Sequence, residues 1–168
     1  MTQYFMGVDP GMTGAAAFIN DRGAFACFLD YPGSASVLAA QIRLLLISDQ
    51  AGTDSGMLHQ IPLAVIEHVH TMPKQGIASS GKFMKNAGIW EGVLAATIIP
   101  YELISPQRWR KILDSSVPSK PTKDDLRQYV MKRWPLAASQ LTRQKDHNRS
   151  EALLLAEYAR LKYLGKIL

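Results

Sequence analysis

Four acids in this chain sit where apolar runs end or a helix begins, and acids so placed suit the capture of a cation. Asp9 lies in Gly7-Val8-Asp9-Pro10-Gly11, where a short apolar run breaks into a turn. Pro10 disfavours helical backbone at Asp9, and Gly11 permits the turn that follows. Glu67 ends a second run, Pro62-Leu63-Ala64-Val65-Ile66-Glu67. Asp146 and Glu151 lie in Lys145-Asp146-His147-Asn148-Arg149-Ser150-Glu151. An acid at the end of a buried strand is costly unless it is paired, solvated or bound to a cation. Taken alone, Asp9 fits a solvated turn as well as it fits a ligand. If the strands carrying Asp9 and Glu67 are parallel neighbours, however, their carboxyl ends open onto one crevice. Two like charges held there need a cation between them, or one must keep a proton. A hard divalent ion with oxygen ligands answers that need, and Mg²⁺ does so with few carboxylates.

The later acids have a competing explanation. Asp146 and Glu151 are five residues apart, so they do not stack on one helical face and converge only if the helix starts between them. Asn148-x-x-Glu151 also fits a capping box that closes a helix start, and an acid in a first turn is favoured by the helix dipole, so both roles can coexist. His147 is a candidate base, phosphate contact or ligand. His68 and His70 flank Glu67 without implying a His–His metal pair.

The elements that must position these residues read as βββαβαβαα. Tyr4–Val8, Ala15–Ile19 and Ala24–Leu29 are short apolar strands, and Asn20-Asp21-Arg22-Gly23 is a tight turn joining the last two antiparallel. Ser36 is placed to cap a helix to about Ser48, with Val37, Ala40, Ile42, Leu44, Leu45 and Leu46 on its buried face. A loop over Asp49–Gln60 precedes the strand Pro62–Glu67, whose unbroken apolar character predicts burial on both faces. A connection at Met72–Gly76 leads to a helix from Ser79 to Thr97. Its Ala87, Gly88, Ile89, Trp90, Val93 and Leu94 suit either the core or a partner helix. Ile98–Ile104 is the fifth strand, and Pro106 starts a helical turn through Trp109. A loop over Ser116–Pro121 follows, then Thr122 caps a helix to Trp134 that Pro135 ends. A last helix runs from about Arg149 to Tyr163. Such an order predicts an α/β fold: one domain over residues 1–168 with a mixed, helix-covered sheet.

Bulk properties narrow the function. The 168 residues, 47% hydrophobic, suffice for one domain with a real core. One cysteine, Cys27 in an apolar run, excludes an internal disulfide framework and fits a reducing compartment. No secretory leader and no membrane-spanning run is legible, so a soluble cytoplasmic protein is expected. Net charge is +5, but residues 106–149 hold eleven Lys and Arg against four Asp, a surplus of seven, which leaves −2 elsewhere. A basic segment this concentrated favours a polyanionic partner.

Together, Gly7-Val8-Asp9-Pro10-Gly11, Val65-Ile66-Glu67 and Glu151-Ala152-Leu153-Leu154-Leu155-Ala156 resemble the RuvC-like Holliday junction resolvases, a family of the ribonuclease H-like fold. The likeness covers nearly the whole chain in order. It extends to the three-stranded meander and to Glu91-Gly92-Val93-Leu94-Ala95-Ala96. It implies a central five-stranded sheet, a three-stranded antiparallel meander plus two parallel strands, flanked by helices. It further implies a homodimeric, Mg²⁺-dependent endonuclease that nicks two strands of a four-way DNA junction symmetrically.

Asp9 matches the first catalytic acid and Glu67 the second, while Glu151 stands where many members have Asp. The family's remaining acid or His falls at Asn148 or His147 here, with Asp146 one further back. Asp146 is preferred as the fourth metal ligand, with His147 as substitute, because only a carboxylate keeps four acids. Lys123 falls near a family base that contacts the scissile region, and Arg110 or Lys111 resembles another. His70 stands where relatives place a residue that probes the junction centre, and Lys74, Lys82 and Lys85 are candidates for the junction arms. The length and the altered last-helix motif point to a phage or mobile-element branch.

The chemistry so implied is phosphodiester hydrolysis assisted by two Mg²⁺ ions per site, with Mn²⁺ as a substitute, and Lys123 offsetting charge in the transition state. A debranching nuclease of broader range shares that chemistry. A non-catalytic junction-binding protein would need the basic segment but not the acids. An actin-like ATPase, the nucleotide-binding alternative, is normally much longer, so no nucleotide cofactor is expected.

Overall fold

Alternation between two cores along two buried strands settles which face of the sheet carries the acids. The computed structural model describes residues 2–11, 13–47, 61–68 and 77–167. The expected loop at Asp49–Gln60, the connection at Met72–Gly76, and the candidates His70 and Lys74 lie outside the described residues. Strands β1 (Tyr4–Asp9), β2 (Ala15–Asn20) and β3 (Phe25–Asp30) form the antiparallel meander, and β4 (Ala64–Glu67) and β5 (Tyr101–Ile104) extend it in the order β3-β2-β1-β4-β5. The β1–β4 and β4–β5 pairs are parallel, with Val8 opposite Ile66. The mixed α/β sheet expected from the sequence is therefore present.

Successive strand residues point to opposite faces. Phe5 and Val65 enter one core with Ala17, Ile19 and Ile104, whereas Met6, Val8 and Ile66 enter the other. Asp9 and Glu67 share the parity of Phe5 and Val65. The first core is roofed by α4 (Lys123–Arg133), α5 (Pro135–Ala138) and α6 (His147–Tyr163), the second by α1 (Ala35–Ile47) and α2 (Ile77–Ala96). A four-residue α3 (Pro106–Trp109) and a 3₁₀ turn, Arg110–Ile112, link β5 to the loop before α4. Among the described residues no helix is long and apolar enough to cross a membrane.

Several local expectations hold. Thr122 accepts from the Asp125 N–H while Asp125 accepts from the Thr122 N–H, a complete capping box at the start of α4. Asn20 Oδ1 accepts the Arg22 and Ala24 N–H groups, and Gly23 turns the chain at φ +82°. In α2, Trp90, Val93 and Leu94 are buried in the second core, so the core alternative holds for these three; Ala87 is buried and Gly88 is exposed. Cys27 is half-buried in β3, and burial pushes its thiol up to about 11, as befits a packing residue.

Others differ. Helix α1 begins at Ala35, so Ser36 lies in its first turn. Among its described side chains Leu38 and Ile42 are buried, while Val37, Ala40 and Leu44 face solvent. Strand β5 starts at Tyr101, because Ile98 takes a left-handed φ of 58° that ends α2 and leaves its side chain 90% exposed. Helix α6 starts two residues earlier than expected, at His147.

At Gly7 strand β1 meets helix α6 main chain against main chain. A Cβ on Gly7 would lie 2.1 Å from the Ala152 carbonyl oxygen and 2.1 Å from the Ala156 nitrogen. Glycine in mid-strand here lets α6 lie directly on β1. Gly7→Ala is expected to destabilise the protein by about 3 kcal/mol, since neither backbone can yield cheaply. The corresponding fall in Tm, measured by thermal melting, is about 6–12 °C for a chain of this size. An unchanged Tm would contradict the close packing.

Candidate metal centre

Each acid reaches the site from a different element, and Asp9 and Glu67 are each held there by a hydrogen bond. At the end of β1, Asp9 is 6% exposed and its Oδ1 accepts the Gly11 N–H at 3.0 Å, which fixes the carboxylate across the turn. That turn is fastened twice more, by the Gly14 N–H to Gly11 O at 2.9 Å and by Asn86 Nδ2 to Gly11 O at 3.2 Å. Glu67, half-buried at the end of β4, accepts a hydrogen bond from Trp109 Nε1 at 2.9 Å. Glu151 lies in the second turn of α6 and is 8% exposed.

Among the described residues, Asp9, Glu67 and Glu151 bring one carboxylate oxygen each within 4.8 Å of one another. Burial raises the Asp9 carboxyl to about 6, the Gly11 N–H opposing and Glu67 adding to the rise. Burial likewise raises Glu151 to about 7, with the charges of Asp9 and Glu67 adding to it. Lys123 opposes both rises, and Arg110 opposes the second. Three crowded oxygen donors, two of them buried carboxyls that resist ionising, are the donor set a hard divalent cation relieves.

Lys123 is held in turn. His147 Nδ1 lies 3.0 Å from the Gln144 carbonyl, which only accepts, so the proton is assigned to Nδ1. His147 Nε2 is then free to accept from Lys123 Nζ at 2.7 Å. His147 thus contacts the cation of the site, not its carboxylate cluster.

Asp146 corrects an expectation. It is not in the carboxylate group, because the chain turns in a 3₁₀ segment at Gln144–Asp146 and Arg143 folds back onto it. Asp146 accepts the Arg143 backbone N–H at 2.9 Å and its guanidinium at 2.8 Å. Although burial pushes that carboxyl up, the bonds from Arg143 prevail and hold it below its ordinary value. The capping box at Asn148 and Glu151 is also absent. Because α6 starts at His147, Asn148 instead donates from Nδ2 to the Thr13 carbonyl at 2.6 Å and to Thr13 Oγ1 at 2.7 Å. It pins the helix start to the β1–β2 turn.

Of the proposed DNA contacts, Lys123 adjoins the carboxylates, while Arg110 and Lys111 are exposed on the 3₁₀ turn after Trp109. Lys82 and Lys85 are exposed on α2 and line a cavity of about 430 Å³ with Asn86 and Tyr31. Trp109, Asn86 and Thr13 brace the site unanticipated. Their partners lie 42, 75 and 135 residues away, beyond any local pattern.

No protein-family model and no curated protein matches this sequence. The fold, by contrast, has solved counterparts. One is RuvC of T. thermophilus in complex with a Holliday junction substrate, with a TM-score of 0.61 at 13% identity over 98% of this chain and 96% of that one. A second is a Thermus thermophilus RuvC structure, with a TM-score of 0.58 at 12% identity over 98% of this chain and 97% of the other. The chain therefore has a RuvC-like, ribonuclease H-like fold.

Proposed function

We propose that this chain is a single-domain, Mg²⁺-dependent endodeoxyribonuclease that resolves four-way DNA junctions by paired nicks from a homodimer. One observation carries the proposal: Asp9, Glu67 and Glu151, from the ends of β1 and β4 and the start of α6, converge beside Lys123 on a RuvC-like fold. The three offer only oxygen donors, at spacings that suit a hard divalent ion. When bound, such an ion supplies Lewis-acid activation of the phosphodiester and of its attacking water.

The chain's own groups do the rest. Lys123 Nζ, steadied by His147, offsets the negative charge that grows on the phosphate oxygens during displacement. Burial of Asp9 and Glu151 keeps bulk water from screening that interaction. Arg110, Lys111, Lys82 and Lys85, with His70 and Lys74, are the contacts proposed for the DNA backbone and the junction centre. A compact donor set between basic elements also favours catalysis over passive junction binding.

Cleavage of a four-way junction, a Y-fork and a plain duplex at one fixed salt concentration tests the substrate. Salt must be fixed because phosphate contacts make affinity steeply dependent on it. The junction is expected to be cut at least about tenfold faster, the factor that 1.4 kcal/mol of preferential transition-state binding gives. Equal rates on fork and junction would indicate a general debranching nuclease, and binding without cleavage in Mg²⁺ or Mn²⁺ would remove the enzymatic reading. Sedimentation at micromolar concentration checks the dimer.

A further inference from the structure

We infer that Trp109 is a positioning residue for the carboxylate cluster, its indole N–H holding Glu67 in the orientation that receives the cation. The inference rests on the cation site proposed above and adds a residue to it. Trp109 is fully buried, and a buried indole N–H seeks a partner. The three tryptophans meet that demand differently. Trp134 donates to the Gly23 carbonyl at 2.8 Å, and Trp90 Nε1 is buried without a partner among the described residues. Trp109 donates to a carboxylate oxygen of the candidate site, Glu67 Oε1, at 2.9 Å.

The backbone that carries Trp109 is firmly set. Pro106 starts α3, and the N–H groups of Arg108 and Trp109 both return to the Ser105 carbonyl, at 3.0 and 3.3 Å. The next residue continues the same device. The Arg110 guanidinium lies over the Trp109 ring at 5.3 Å, and its charge favours ionisation of Glu151. One dipeptide thus bears on two of the three carboxylates, by a hydrogen bond on Glu67 and by charge on Glu151. A donor bound to Oε1 restricts rotation of the Glu67 carboxylate, so the geometry of the cluster is set before a cation arrives. Outer groups that orient metal ligands typically change metal affinity by about 10–100-fold when removed.

The test is Mn²⁺ binding to the full chain without DNA, measured by calorimetry well below the melting temperature. Trp109→Phe keeps the buried ring and removes the donor, and is expected to weaken Mn²⁺ binding by about 10–100-fold. Trp134→Phe loses a comparable buried indole bond away from the carboxylates and is expected to bind Mn²⁺ like wild type, which separates orientation from general loosening. Should Trp109→Phe not fold, the ¹⁵N-labelled wild-type chain gives the same information. The indole resonance common to the Trp90→Phe and Trp134→Phe proteins is that of Trp109, and it should shift as Mg²⁺ saturates the site. Unchanged Mn²⁺ affinity in Trp109→Phe, or a Trp109 resonance indifferent to saturating Mg²⁺, overturns the inference alone. A wild-type chain that binds neither ion overturns the cation site and this role with it.

Discussion

Asp9→Asn is expected to abolish strand cleavage while leaving junction binding nearly intact. Asparagine keeps the size of the side chain, and its carbonyl oxygen can still accept the Gly11 N–H that closes the turn. What disappears is the charge that joins Glu67 and Glu151 in one donor set. Cation-assisted charge stabilisation is worth several kcal/mol in the transition state, and each 1.36 kcal/mol is tenfold in rate, so a loss of about 10³-fold or more follows. Single-turnover cleavage and fluorescence anisotropy on the same junction measure the two properties separately. A variant that cuts at the wild-type rate in Mg²⁺ would refute the cation site.

Glu151→Gln is expected to separate stability from activity in the opposite sense. In the folded protein the Glu151 carboxyl is raised from 4.5 to about 7, chiefly by burial. Below pH 4 both the folded and the unfolded chain hold this proton, and folding carries no penalty from it. Between about 4.5 and 7 the unfolded chain releases the proton while the folded chain retains it, so stability falls as pH rises and levels off above 7. The loss from this one group is about 3 kcal/mol. Glutamine carries no charge at any pH. Without divalent ions, Glu151→Gln should therefore melt about 6–12 °C above wild type at pH 8 and close to it at pH 4. Mg²⁺ should raise the wild-type Tm at pH 8 far more than at pH 4, and cleavage by wild type should rise through pH 6–7. A variant that melts below wild type at pH 8 would show that the carboxylate is not strained by its burial.

Much of this arrangement was legible because it depends on local rules. The apolar runs ending in Asp9 and Glu67 define strands by continuity, and a period of two then puts both acids on one face of the sheet. Thr122 announces a helix start, and Asn20 to Gly23 announce a hairpin. Legibility stops where the folded backbone or a long-range partner decides. Arg143 precedes Asp146 by three residues, yet only the folded 3₁₀ turn shows that it takes the carboxylate. Asn148 offered a good cap in sequence, and Thr13 outcompeted that role from 135 residues away. In α1, Leu44-Leu45-Leu46 is apolar at every position, so no period exists from which to read a face.

The contact at Gly7 has one more consequence. Since Ala152 and Ala156 touch β1 through main-chain atoms, the gap between the carriers of Asp9 and Glu151 is a fixed gauge, set by peptide geometry and not by the bulk of any side chain. Repacking elsewhere in that layer exchanges methyl groups without moving the gauge. The T. thermophilus RuvC structure has the same fold at 13% identity, so the fold itself does not depend on most of the side chains that fill it.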